Sequence, residues 1–155
     1  MNILAIDTSG PVAGCAVMTD GRIVHSISLN HGLTHSETVM PAVEEALSAS
    51  GLRCADMDVF AAVAGPGSFT GVRIGVCAVK GLAHGCGKKA VAIDALEALS
   101  VNAFGFSGVI CPILDARRSQ VYCAAFRFAA GELPERILPD DALPLAEFIA
   151  RLPKD

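Results

Sequence analysis

Apolar positions along this chain follow two different periods. Residues 2–7 (NILAID) are apolar up to a closing acid, and 12–18 form a second apolar run. Residues 22–29 alternate apolar with polar side chains, as a half-exposed strand does. Asp20-Gly21, between the second and third runs, carries a hairpin signal. The opening is therefore expected to be a three-stranded antiparallel meander. From Thr34 the period lengthens to that of a helix: Val39, Val43, Ala46 and Ser50 share one face, which Met40 and Leu47 widen. Thr34 and Glu37 have capping-box spacing, so this helix starts near His35. Pro41 lies inside it without an N–H to give, and Gly51 is a natural terminator.

The stretch 58–87 (DVFAAVAGPGSFTGVRIGVCAVKGLAHGCG) reads as a strand, a Gly-Pro-Gly loop and a helix over 71–85 capped by Ser68 or Thr70. In that helix Val72, Ile74, Val76, Ala78, Val79, Leu82 and Ala83 go nearly all the way round, and only Arg73 and Lys80 are charged before His84. A helix apolar on every side must be buried on more than one side. Gly71 and Gly75, one turn apart, would let another backbone come close. The expectation is that this helix is a docking surface, bundling together with the helix over 35–50 against the same pair from a partner. The expected interface comprises His35, Val39, Val43 and Leu47 on the first helix. On the second it comprises Gly71, Val72, Gly75, Val76, Val79 and Leu82. On this reading Gly75→Arg abolishes pairing and leaves the fold intact.

Residues 89–93 read as a further strand, and Asp94 with Glu97 caps a helix to about Ala103. Then an order recurs. Residues 109–115 (VICPILD) are again an apolar strand ending in an acid, followed by a turn at 116–119 and a strand at 120–128. A turn at 129–132, a strand at 133–138 and a helix at 144–152 complete it. Strand, turn, strand, turn, strand, helix is the order of the first 50 residues, and Asp7 and Asp115 hold matching places. Two lobes are expected, 1–104 and 105–155, the second a partial one that stops after its first helix.

Composition sharpens this. Hydrophobic residues make up 52% of 155 residues, and the mean hydropathy is +0.50. No uninterrupted apolar segment of about 20 residues points to a membrane span. The longest uncharged run, 98–114, is broken by Ser100, Asn102, Gly105, Ser107, Gly108 and Pro112. Surplus apolar surface points instead to a partner chain. A net charge of −4 with no basic block argues against a chain that grips nucleic acid by itself. Met1 leads straight into a strand, with no signal peptide, and the six cysteines form no C-x-x-C pair. Cys15, Cys77, Cys111 and Cys123, single within apolar runs, read as small core residues, and a cytoplasmic location is expected.

Candidate chemistry is sparse. Gly65, Gly67 and Gly71 precede a helix, a context that suits an anion held by backbone N–H groups. Their spacing misses the dinucleotide fingerprint by one residue, and a Walker A loop is absent. The bland reading is a tight turn with close helix packing. Asp7-Thr8-Ser9, at a strand end before a hairpin, resembles the first phosphate-binding turn of the actin, hsp70 and sugar-kinase superfamily. Asp7, Thr8, Ser9, Gly65, Gly67, Ser68 and Arg117 are thus candidates for phosphate or nucleotide contact. The matching turn of the second lobe, Asp115-Ala116-Arg117-Arg118, has no glycine and two bulky cations. His31 and His35 have a spacing that can clamp a metal, but no third ligand is evident, so no metal and no cofactor is expected. The alternative to a docking protein is a small kinase-like ATPase or a nucleotide-binding module using Asp7 and the Gly65, Gly67 and Gly71 loop.

MNILAIDTS, THSETVMPAV, AGPGSFTGVRIG and ILDARRSQVY, in that order over residues 1–128, resemble the bacterial TsaB (YeaZ) family. The resemblance implies an α/β fold: a ribonuclease-H-like lobe of the actin/hsp70/sugar-kinase superfamily with a mixed sheet, and a partial second lobe of the same kind. It also implies a non-catalytic subunit of the machinery that makes N6-threonylcarbamoyladenosine in tRNA. In that family a TsaD-type paralogue is the catalyst, a TsaE-type ATPase assists, and the chain pairs with itself when alone. Contact with tRNA would come only through the complex. Two departures stand out: the family's second lobe is longer, and Gln120 stands where the family has an acid.

Overall fold

The computed structural model describes residues 1–30, 34–128 and 133–153. Two compact units divide the chain, Met1–Ile93 and Asp94–Asp155.

In the first unit, β1 (Asn2–Asp7), β2 (Ala13–Thr19) and β3 (Arg22–Leu29) form the expected meander. Asp20 and Gly21 both take positive φ, 49° and 79°, as the two central residues of a primed hairpin turn require. α1 (His35–Ala49) leads back to β4 (Val59–Val63), and α2 (Phe69–Cys86) leads on to β5 (Lys89–Ile93). The five-stranded sheet has the order β3-β2-β1-β4-β5. β1–β2 and β2–β3 are antiparallel, whereas β1–β4 and β4–β5 are parallel. This mixed α/β sheet is the ribonuclease-H-like arrangement of the actin, hsp70 and sugar-kinase superfamily. Alternation decides which side chains meet the helices. Leu4 and Ile6 of β1, Cys15 and Val17 of β2 and Phe60 and Ala62 of β4 are buried in one core. Val39, Val43 and Leu47 of α1 and Val79 and Ala83 of α2 complete it.

Local chemistry sets the helix ends. The Glu37 carboxylate accepts from the Thr34 N–H at 3.2 Å and from the Thr34 hydroxyl at 2.5 Å. These bonds hold the Glu37 carboxyl below its ordinary value. Pro41 stands inside α1 on its exposed side, and Gly51, at φ 66°, turns the chain out of it. The Ser68 hydroxyl caps α2 by accepting from the Gly71 N–H at 3.3 Å, and Gly87 closes it in the left-handed conformation.

The second unit begins with α3 (Ala95–Ser100), whose cap is Asp94: its carboxylate accepts from the Glu97 N–H at 2.7 Å. The sequence expects this helix to belong with the first lobe, to residue 104. It belongs instead to the compact unit that starts at Asp94, because Leu96 is buried against Ala124 and Phe126. Arg136 reinforces the connection. Its guanidinium reaches Asp94 and Glu97 at 3.2 Å and also pairs with Asp140, while lying 4.6 Å over the Phe126 ring.

β6 (Val109–Ile110) and β7 (Ile113–Arg117) pair antiparallel with one side of β8 (Gln120–Arg127), in one register from Val109 to Asp115 that shifts between Asp115 and Arg117. They are the one expected strand, interrupted at Cys111-Pro112, where Pro112 has no N–H to give the ladder. β9 (Glu135–Leu143) pairs with β8 as well. It does not end before Pro139 as expected; three steps of β9, from Leu138 to Asp141, stand against two of β8, and this bulge absorbs the proline. α4 (Leu145–Arg151) follows. The expected turn at 129–132 lies outside the described residues. Of the cysteines read as core, Cys15 and Cys123 are buried and Cys111 is half-buried. Cys77 is exposed: it lies on the outer side of α2, where the apolar pattern around it gives no sign of facing solvent.

Candidate functional site

α2 lies against the end of β1 through glycines. Gly71 and Gly75 are one helical turn apart and share a face of α2, and Gly67 stands just before its cap. A Cβ on Gly67 would stand 2.5 Å from the Ser9 carbonyl oxygen, one on Gly71 2.0 Å from that of Thr8, and one on Gly75 2.5 Å from the Thr8 hydroxyl. The fully buried Thr8 hydroxyl donates to the Gly71 carbonyl at 2.7 Å. Close backbone approach is thus real, and it is made within the chain, to the turn after β1.

That turn is held from three directions. The Asp7 carboxylate accepts from both the N–H and the hydroxyl of Ser9, at 2.8 and 2.7 Å. The Ser9 carbonyl accepts from the Ser68 N–H at 2.7 Å. From α1, His35 Nε2 donates to the Gly10 carbonyl at 2.8 Å; a carbonyl can only accept, so the proton sits on Nε2. Of the phosphate candidates, Asp7, Thr8, Ser9, Gly65, Gly67 and Ser68 do come together here. Their polar groups face one another: the N–H groups of Ser68, Gly71 and Val72 are committed to Ser9 O, Ser68 Oγ and Ser68 O. The geometry is that of a tight turn with close helix packing. Arg117 belongs to the second unit. There the Asp115 carboxylate accepts from the Arg117 N–H at 2.7 Å, the same i to i+2 bond that Asp7 makes. The chain then passes through Arg117, Arg118 and Ser119 at φ 64°, 50° and 61°.

The expected partner interface divides by burial. Val39, Val43, Leu47 and Val79 are buried in the core of the first unit, and Gly71 and Gly75 are closed off by Thr8. In the folded chain these positions are closed to solvent, and Gly75→Arg would strike the fold itself. Val72, Val76 and Leu82 remain half-buried, as does His35. The open face of α2 is the one opposite the glycine ladder: Thr70, Arg73, Cys77, Gly81, His84 and Gly85, with Lys80 beside them. A Cβ added at Gly81 or Gly85 would meet nothing within 4 Å. At its start Phe69 is 71% exposed, with the Arg73 guanidinium 3.8 Å over its ring. The neighbouring α1 exposes Met40 and the acids Glu37, Glu44 and Glu45. Sequence reasoning missed Gly81 and Gly85. The signal was present: helical spacing carries the line Gly71, Gly75 on to Val79 and Ala83, which leaves 77, 81, 84 and 85 outward.

Among the described residues no group of His, Cys, Asp and Glu is arranged to hold a metal. The pairing of His31 with His35 lies outside them. No helix among the described residues is long and apolar enough to cross a membrane.

A family model described as "TsaD: tRNA N6-adenosine threonylcarbamoyltransferase" matches residues 31–151. The chain is 38% identical over 152 residues to "tRNA threonylcarbamoyladenosine biosynthesis protein TsaB" of Bacillus subtilis, covering 98% of this chain and 66% of that protein. It is 33% identical over 129 residues to the Escherichia coli protein of the same description, covering 82% of this chain and 55% of that protein. The solved structure "YeaZ from Pseudomonas aeruginosa" superposes with a TM-score of 0.84 at 29% identity, covering 92% of this chain and 67% of that one. The chain thus spans between about half and two thirds of the length of these curated relatives.

Proposed function

Because the chain belongs to the TsaB (YeaZ) family, within the wider group described as tRNA N6-adenosine threonylcarbamoyltransferase, we propose that it is a non-catalytic scaffold. In this role it pairs with and activates a TsaD-type paralogue in the N6-threonylcarbamoyladenosine modification of tRNA. A TsaE-type ATPase joins the assembly, the chain pairs with itself when alone, tRNA is met through the complex, and the setting is the cytoplasm.

The observation that carries this reading is the open face of α2. Gly81 and Gly85 leave room for a second helix to come close, flanked by the half-buried Val76 and Leu82. α2 exposes the bases Arg73 and Lys80 and the neighbouring α1 exposes the acids Glu44 and Glu45, so a partner with the same layout offers charges of both signs. Of the earlier interface residues, Val72, Val76 and Leu82 stay with this proposal. The commitment of the Ser68, Gly71 and Val72 N–H groups to the chain itself supports a non-catalytic role for the glycine loop.

The test uses purified chain and a purified TsaD-type paralogue. Gly81→Arg, placed in open space, is expected to abolish co-elution while leaving the circular dichroism unchanged and the thermal midpoint no lower than the parent's. Full-affinity pairing by that variant would overturn the docking face. Magnesium-dependent ATP turnover by the isolated chain, lost on Asp7→Ala, would favour an enzyme instead.

A further inference from the structure

The open face of α2 carries a pattern that the fold itself does not use. Phe69, Arg73, Cys77, Gly81 and Gly85 follow one another at four-residue steps, and all five are exposed. The line that α2 buries is a different one, Gly71, Gly75, Val79 and Ala83. Side chains at four-residue steps make a ridge inclined to the helix axis. On this ridge Phe69 and Arg73 form the first half, and the second half is missing, because Gly81 and Gly85 stand there.

Both halves are built for contact. Phe69 is 71% exposed, and the Arg73 guanidinium lies 3.8 Å over its ring. The two side chains therefore present one ordered stack rather than two independent rotors, which lowers the cost of fixing them in an interface. At Gly81 and Gly85 an added Cβ would meet nothing within 4 Å. Glycine inside a helix is less stable than alanine, and packing within the chain calls for neither of these two. The gap they leave is open only toward what lies outside.

This line is complementary to itself. Turned end over end about Cys77, its two halves exchange places. Resting on the reading that this face of α2 is the docking face, we propose that its occupant is a second copy of this chain, with α2 antiparallel to α2 across a two-fold axis at Cys77. Phe69 of each copy then stands against Gly85 of the other, Arg73 stands against Gly81, and the two Cys77 residues meet at the axis. Helices that cross at about −50° lay ridges of this inclination along one another, and here the bulky half of each fills the gap in the other. A parallel arrangement sets Phe69 against Phe69 and gap against gap, so the pattern selects the orientation as well as the partner. Arg73 and the Lys80 next to Gly81 are both basic, so shape rather than charge fixes this register.

The experiment uses the full purified chain alone, followed by sedimentation equilibrium. The expected species is a dimer. Phe69→Ala removes the bulk and Gly85→Phe closes the gap, and each is expected to weaken dimerisation roughly tenfold or more with unchanged circular dichroism. The double variant Phe69→Ala/Gly85→Phe swaps bulk and gap, and is expected to return to within roughly threefold of the parent. Treatment with a short bismaleimide, read by peptide mapping, is expected to join Cys77 to Cys77 between chains. A dimer in which the two changes weaken additively, or in which Cys77 is not joined to Cys77, would overturn the register. A monomeric parent would overturn the second copy as occupant. Co-elution of a TsaD-type paralogue, lost on Gly81→Arg, would in either case still stand for the docking face, so the two readings fail separately.

Discussion

The Thr8 hydroxyl donates to the Gly71 carbonyl at 2.7 Å, joining the end of β1 to the first turn of α2 across 63 residues of sequence. The contact needs Thr8 to sit between two glycines one helical turn apart, and it explains why this helix face is bare. Alanine at Gly71 or Gly75 forces the helix away from β1. Each is expected to destabilise the chain by about 2–4 kcal/mol. Gly81→Ala, on the same helix but in open space, is expected to stabilise by about 0.5–1 kcal/mol. Urea midpoints of the variants decide it; a Gly75→Ala protein as stable as its parent would contradict the packing.

His35 joins α1 to the same turn by one hydrogen bond to the Gly10 carbonyl. Removing the imidazole in His35→Ala leaves that carbonyl without its donor. A loss of about 1 kcal/mol is expected in equilibrium unfolding, with faster hydrogen exchange localised to residues 8–10. Unchanged exchange there would mean the turn is held by Asp7 and Ser68 alone.

The thiols should differ in reactivity by burial. Cys77, exposed on α2, is expected to react first with a maleimide in the native state. Cys15 should react last, because burial pushes its thiol up to about 11. The sign for stability follows: unfolding frees Cys15 to ionise near its ordinary value of about 8.5. Its contribution is therefore fully present below that value and is lost as pH rises toward 11. Melting curves between these limits should fall more steeply for the parent than for Cys15→Ala.

At the β7–β8 turn three consecutive non-glycine residues hold left-handed backbone, Arg117, Arg118 and Ser119. Ser119→Gly relieves one of them and is expected to stabilise by about 0.5–1 kcal/mol. Asp115→Ala removes the acceptor for the Arg117 N–H and is expected to act in the opposite direction, whereas Asp115→Asn keeps an acceptor and should lie between. A common thermal midpoint for all three would show that the turn carries no strain.

What could be read from the sequence was what local chemistry decides. Asp20-Gly21 reported its hairpin, Thr34 and Glu37 reported the start of α1, and the matched acids Asp7 and Asp115 reported turns built on the same hydrogen bond. What escaped was decided by packing at a distance. Counting apolar side chains around α2 treats glycine as neutral, yet Gly71 and Gly75 are its most deeply packed positions. So the apolar pattern assigns Val39, Val43, Leu47 and Val79 to a partner interface where the fold buries them in its core, and assigns Cys77 to the core where it is exposed. Pro139 reads as the end of a strand unless the bulge against β8 is known. The unit boundary at Ile93 rests on Leu96 meeting Phe126, a contact that no local signal announces.

The glycine ladder also governs what the gene encoding this chain can tolerate. Every codon change that alters glycine adds at least a Cβ, and at Gly67, Gly71 and Gly75 that atom falls within 2.5 Å of another part of the chain. A library of random variants selected only for intact protein would therefore show three blank columns at these positions. Gly81 and Gly85, a few codons downstream in the same helix, would fill freely, and would empty only when selection is for whatever α2 touches.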